Sequence, residues 1–390
     1  MPGFSPCRRV SGGRCWPWPP LPARRRPSSG PRPLPLKILP TSTLTPESAA
    51  SRPPFIIPFF IVHQGCPHRC VFCNQTSITG QAEGAGQITP RQVAAGIAAR
   101  LDRPRRYPEA EVQVAFYGGS FTGLPPGRQA ELLAAVAPFL EQGLVRAVRL
   151  STRPDCVDHG TAVFLADRGV RIVELGVQSM DAAVLAASGR GYGPGEVGRA
   201  LRNLRGAGLQ VGGQLMVGLP GENSRRAMDS ARQLAALAPD FVRIYPTLVV
   251  AGSALALDYA AGSYRPLSLH QAVARTARIK AIFDACTIPV VRMGLQDGTA
   301  LTQHLIAGPH HPAFGEMVLA WLFFKKVRHV LRQRAGKGGC LTMAAADESI
   351  FRGPGNLYRQ RLMALGLLTG VEVVFEYGLP RHTVRVHWAG

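Results

Sequence analysis

The sequence predicts an α/β fold: a barrel of parallel βα units over residues 54–300, followed by a small α/β extension over 301–390. Three observations carry that reading. From Pro54 to Met293, short β-branched or apolar runs alternate with helical periods, the pattern of parallel strands joined by crossover helices. Polar or glycine-rich groups recur directly after those runs, where a βα barrel keeps its working residues, and this placement decides for a barrel over a doubly wound sheet. A chain of 390 residues, 46% of them hydrophobic, is long enough to bury one large core and a smaller one.

The expected strands are 55–62, 112–117, 147–152, 171–177, 210–217, 241–247 and 288–293. Between them lie helices with legible ends. Thr89 caps one that begins at Pro90 and places Val93, Ile97 and Leu101 on a single face; Gly143 and Gly208 follow two others as stop residues. The polar groups at the strand ends are His63 and Gln64, Gly118 to Ser120, Ser151 to Arg153, Gln178 and Ser179, Gln214 with Gly218, and Tyr245. They converge on one mouth. Beyond Leu301 a turn-rich junction, Gly308 to Gly315, leads to a helix over 316–334, a second over 356–365, and strands over 371–377 and 382–388.

Charge narrows the choice of partner. The net charge is +21, with a sequence pI of about 10.6, which favours a polyanion such as RNA over small neutral metabolites. Residues 1–53 hold nine Lys/Arg against the single Glu47, a surplus of eight, in a setting of Pro, Ser and Gly that predicts disorder. An organelle transit peptide would need an amphipathic helix, which the prolines prevent, so upstream sequence read from too early a start is the preferred explanation. Discounting it leaves +13 for residues 54–390, and residues 321–390 alone hold eleven Lys/Arg against four Asp/Glu. No run of about 18 uninterrupted apolar residues predicts a membrane span, and the expected compartment is the cytoplasm.

The sharpest chemical signal is Cys66, Cys70 and Cys73, spaced C-x3-C-x2-C directly after the first strand. Three thiolates on one loop can hold three irons of a cubane 4Fe-4S cluster and leave the fourth iron open to a ligand. A zinc site would need a fourth ligand, for which His63 or His68 is available, but no second half-site follows. Disulfides do not suit a chain without a secretory signal. Cys156, Cys286 and Cys340 stand alone in the sequence, and His310 and His311, between prolines, read as turn residues.

The cysteine loop resembles that of the radical SAM superfamily. That resemblance implies an open, three-quarter barrel of six units, a partial (β/α)6 TIM-like barrel, and a 4Fe-4S cluster whose free iron chelates S-adenosylmethionine. One electron then breaks the C5′ to sulfur bond and yields a 5′-deoxyadenosyl radical. Residue by residue, Gly118, Gly119 and Ser120 are similar to the glycine pair segment that meets the methionine amino group; Ser151 lies at the next strand end. Gln178 and Arg190 resemble the residues that reach the cofactor and pair its carboxylate, and Gln214 with Gly218 the fifth-strand motif for ribose and adenine, where porphyrin-type relatives carry aspartate in place of Gln214. Glu174, on the other face of its strand, is expected to be structural.

Arg243 to Leu255, together with those motifs, resembles the radical SAM portion of the Elongator catalytic-subunit family, which modifies wobble uridine in tRNA. The 90 residues left are too few for that family's acetyltransferase domain. The resemblance implies RNA, tRNA in particular, as substrate, and a flavodoxin or ferredoxin is the expected electron donor; Tyr245, at the end of the sixth strand, is a candidate substrate contact or hydrogen donor, with a packing role as the alternative. The alternatives are a porphyrin or other small-molecule radical enzyme, disfavoured by Gln75 where a fourth cysteine is common and by the basic charge, and a haem or cluster carrier without turnover.

Overall fold

The computed structural model describes residues 53–61, 64–75, 87–296, 298–333 and 338–388. The basic segment expected to be disordered lies outside them except for Pro53, as does His63. Seven strands form one parallel sheet: β1 (Phe55–Phe60), β2 (Val112–Tyr117), β3 (Ala147–Thr152), β4 (Val170–Gln178), β5 (Gln210–Val217), β6 (Phe241–Pro246) and, after the two-residue β7 (Val249–Val250), β8 (Val290–Met293). Their order is β1-β2-β3-β4-β5-β6-β8. β1 and β8 are the edges, so the curled sheet is a partial TIM-like barrel of six βα units with a seventh strand added.

Alternation along the strands sorts the two faces. Val114, Phe116, Val148, Leu150, Val173, Leu175, Val211, Leu215, Val242 and Ile244 are buried beneath the outer helices. Gly213 shows the closeness of that packing, because a Cβ there would meet Leu234 of the helix Ser224–Ala236 at 2.9 Å. The intervening residues, Gln113, Tyr117, Arg149, Ser151, Glu174, Gln214, Arg243 and Tyr245, face the lumen. Its wall is polar.

Local signals fix the ends. Thr89 closes a capping box with Gln92: the Thr89 hydroxyl accepts from the Gln92 amide at 3.2 Å, and the Gln92 side chain accepts from the Thr89 amide at 2.8 Å. Gly143 and Gly208 stop their helices with φ of 70° and 76°. β8 starts two residues later than expected because Ile288 is taken up by the turn that stops the helix before it. Its amide donates to Phe283 of the helix Leu269–Ala285 at 2.9 Å, while Thr287 takes φ 58°. This is a Schellman stop made without glycine.

A short antiparallel pair joins β7 to β9 (Leu305–Ala307), and the helix Phe314–Arg332 then leads to a second sheet. That sheet is ordered β11-β10-β12, with β10 (Gly339–Ala344), β11 (Val371–Glu376) and β12 (Val384–Trp388). The helix supplies both cores. Phe314, Met317 and Val318 pack into the barrel, whereas Phe323, Phe324, Val327 and Leu331 pack with Leu341, Met343, Phe351 and Leu362. β10, the central strand of the second sheet, was not expected from the sequence, because Gly339, Cys340 and Ala344 dilute its apolar signal. No helix among the described residues is long and apolar enough to cross a membrane.

Candidate functional site

The cysteine loop leaves β1 and is clamped by three other segments. Ser120 N donates to Gln64 O at 3.0 Å, Val71 N to Ser188 O at 3.2 Å, and Leu255 N to Val71 O at 2.7 Å; Asn74 adds a side-chain bond to Ala251 O at 2.6 Å. The loop is therefore held by the turn after β2, by the end of the helix Ala182–Ala187 that follows β4, and by the segment after β7. Cys70 is buried, and Cys66 and Cys73 are half-buried.

Burial raises the Cys66 pKa, and the neighbouring Cys70 adds to the shift. Cys73 is pushed up to about 12, by burial first and then by Cys70 and Cys66. With Cys66 and Cys73 both held back from ionising beside Cys70, the loop is a donor set in want of positive charge. Among the described residues, no three His, Cys, Asp or Glu side chains converge on a single point. A cubane takes one sulfur at each of three separate corners, and three thiols on one loop are donors of the kind it needs.

Arg190 reaches this loop from the far side of β4. It is 5% exposed, and its Nη1 donates to Cys70 Sγ at 2.9 Å. Its other nitrogens are held too: Nη2 donates to Gly176 O at 2.7 Å, and Nε to the Tyr192 hydroxyl at 2.9 Å. Gln178, at the end of β4, has φ 64°, a left-handed conformation unusual for a residue with a side chain, and its amide oxygen accepts from Gln214 at 3.4 Å. Gly176 leaves room for this group, since a Cβ on it would stand 3.1 Å from Gln178 and 3.3 Å from Arg190. Cysteines, Arg190, Gln178 and Gln214 thus lie along one side of the mouth.

The glycine pair has a use that its spacing did not show. Gly118 takes φ 99°, and a Cβ on Gly119 would strike the carbonyl oxygens of Gln64 and Ile61. Gly119 is a wedge between the second strand end and the cysteine loop. Gly119→Ala is expected to cost roughly 1–3 kcal/mol, the range for overpacking, and to reduce iron loading, as chemical denaturation and iron assay would measure. Ser120 is fully buried, with its hydroxyl 2.9 Å from Thr152 Oγ1 and accepting from Arg153 N at 3.2 Å. It ties β2 to β3.

Gly218 ends β5 with φ 88°; its amide donates to Glu222 Oε1 at 2.9 Å, and its carbonyl accepts from Tyr264 at 2.7 Å. Beside it opens a cavity of about 430 Å³, lined among others by Glu222, Asp258, Tyr264, Arg265 and Leu267. Ser151 is half-buried on the lumen face, opposite Glu174 in register. Tyr245 is half-buried on the same face, and its hydroxyl accepts from Arg243 Nη1 at 3.3 Å.

Sequence reasoning missed the centre of the lumen. Glu174 is 4% exposed, and its Oε1 accepts from Arg149 at 2.6 and 3.1 Å and from Tyr117 at 3.1 Å, while Oε2 lies 3.0 Å from Arg243 Nε. Arg149 also donates to Gln113 at 3.1 Å. Burial, with the Glu174 charge beside it, pushes the Tyr117 pKa up. The available signal was the alternation itself, which puts Gln113, Arg149, Glu174 and Arg243 on apolar strands at inward positions. Cys156 was likewise read as isolated, yet it lies close enough to Cys66 for its charge to raise that thiol's pKa.

Two family matches cover this architecture. Residues 60–234 match the radical SAM superfamily and residues 239–322 the radical SAM C-terminal domain. The chain belongs to the radical SAM superfamily. Members of this superfamily generally bind a 4Fe-4S cluster and S-adenosylmethionine. An uncharacterised protein of Methanocaldococcus jannaschii is 29% identical over 53% of the chain and 65% of its own length. The tRNA uridine(34) acetyltransferase of Dehalococcoides mccartyi is 28% identical over 56% and 54%. Human Elongator complex protein 3 is 25% identical over 48% and 40%. The chain thus spans about two thirds or less of the length of these relatives. The solved structure of the archaeal Elp3 of Methanocaldococcus infernus shares the fold, with a TM-score of 0.55 at 20% identity over 70% of this chain and 63% of that one.

Proposed function

We propose that this radical SAM protein is an enzyme acting on tRNA, with a 4Fe-4S cluster on Cys66, Cys70 and Cys73 and S-adenosylmethionine bound along Gly118, Gly119, Ser151, Gln178, Arg190, Gln214 and Gly218. The observation that carries this reading is the buried guanidinium of Arg190 on the Cys70 thiol, which joins the cysteine loop to the β4 side of the mouth. When bound, cluster and cofactor supply an electron and a carbon radical able to abstract hydrogen from the substrate. The chain's own residues hold and shield. Arg190, fixed by Gly176 and Tyr192, sets a permanent positive charge beside the Cys70 thiol and away from water. Tyr245 offers a hydroxyl, oriented by Arg243, to a substrate entering the lumen.

Support for RNA comes from the relatives named as tRNA uridine(34) acetyltransferases and from charge. Residues 54–390 keep +13, and Lys325, Lys326, Arg332, Arg359, Arg361, Arg381 and Arg385 are exposed on the C-terminal part. A flavodoxin or ferredoxin in the cytoplasm would be the electron donor. Anaerobically reconstituted protein, given cofactor, reductant and tRNA from a strain lacking the gene, is expected to release 5′-deoxyadenosine and to change the mass of one nucleoside. Deoxyadenosine formed only in the presence of a porphyrin, with every nucleoside unaltered, would replace this reading with the small-molecule one.

A further inference from the structure

Two arginines stand side by side in the strand register at the open edge of the barrel sheet. Arg243 of β6 and Arg292 of β8 are register partners on adjacent parallel strands, just past a register shift between Val242 and Arg243, so their backbones are neighbours. Like charges directly opposite one another destabilise a sheet. Arg243 is steadied from the other side by Glu174, but that carboxylate is shared with Arg149, so two guanidiniums already draw on one acid. Arg243 Nε, though near Glu174, is not aligned for a hydrogen bond with it. Among the described residues Arg292 makes no ion pair; its Nε donates only to the Gly294 carbonyl at 3.3 Å. Both side chains are part-buried rather than spread into solvent. Buried cations of this kind are ordinarily paired.

We infer that Arg243 and Arg292 form an oxyanion subsite, and that its ligand is a phosphate of the RNA substrate. This rests on the tRNA reading above. The position suits a macromolecule, because β8 is the open edge of the sheet and Tyr245 lies one inward position further along β6, toward the mouth. A phosphate between the two guanidiniums would accept charge-assisted bonds from both and remove their repulsion. The chain carries a stored conflict that its ligand relieves.

The test uses the full chain and unfractionated tRNA, with binding followed against salt. Arg292→Gln is expected to weaken tRNA binding at least about tenfold, the loss of one hydrogen bond to a charged group. It should also flatten the log-log salt slope by about 0.7 to 0.9, one phosphate contact. Arg292→Lys should keep most of the slope. The melting temperature of Arg292→Gln without RNA should be unchanged or raised, since a repulsion has gone. A lowered melting temperature with an unchanged slope would make Arg292 a packing residue and end the proposal. A slope unchanged for tRNA, with lost affinity for a tetracarboxylate porphyrin, would assign the same oxyanion chemistry to a small carboxylate and overturn the RNA source. If the unaltered chain fails to bind tRNA at low salt, the tRNA reading falls and the subsite's phosphate with it; normal binding without any effect of Arg292→Gln removes the subsite alone.

Discussion

Cys70→Ala is expected to strip most of the iron from the anaerobically reconstituted protein, which should otherwise hold about four irons, the content of one cubane cluster. Two effects act together at this position. The variant removes one corner ligand, and it removes the sulfur that accepts from the buried Arg190 guanidinium. Without an acceptor, that cation remains enclosed by Tyr192 and the Gly176 carbonyl, and a charge lost from a buried pairing costs more than the bond alone. The loop should loosen as well as lose iron. Iron and acid-labile sulfide would be measured beside 5′-deoxyadenosine formation, and all are expected to fall. A Cys70→Ala protein that keeps full iron and turnover would remove the cluster from this loop.

The largest effect on stability is expected at Glu174. Glu174→Ala leaves Arg149 and Arg243 facing each other in the lumen without the carboxylate that both use. Removing one partner of a buried ion pair typically costs about 3–5 kcal/mol. Tyr117 loses its acceptor at the same time, since its hydroxyl donates to that carboxylate. Urea denaturation should show a shift of the midpoint equivalent to that energy, while Arg243→Met combined with Glu174→Gln should recover part of it by removing one of the stranded charges. A shift of less than about 1 kcal/mol for Glu174→Ala would place this network in the class of exposed pairs.

The parts of this molecule that could be read from the sequence are those whose physics is local. β2, β3 and β5 were bounded correctly because each is a short apolar run ended by turn residues. The Thr89 cap needs only the three residues that follow it. Three cysteines within eight residues announce a soft metal group whatever surrounds them. What stayed hidden depends on contacts across the chain. Glu174 meets partners 25 and 57 residues away, and nothing beside it in the sequence names them. Gly119 signals only a flexible backbone until the cysteine loop is seen packed against it, and Ser120, beside it in the motif, turns out to face inward between β2 and β3. The register that sets Arg243 against Arg292 passes through an irregularity between Val242 and Arg243, which no periodicity foretells.

The helix Phe314–Arg332 has a further consequence, for how the chain comes apart. One rod contributes Phe314, Met317 and Val318 to the barrel and Phe323, Phe324, Val327 and Leu331 to the C-terminal layer, with Trp321 packed against both. Peeling away the second sheet would leave half of a continuous helix with its apolar side in water, and melting the helix would withdraw side chains from the barrel in the same event. The two layers are mechanically in series through one element, so they share a cooperative transition rather than opening separately. A protein cut ahead of this helix would leave bare the apolar surface around β8, the edge beside which Arg292 stands.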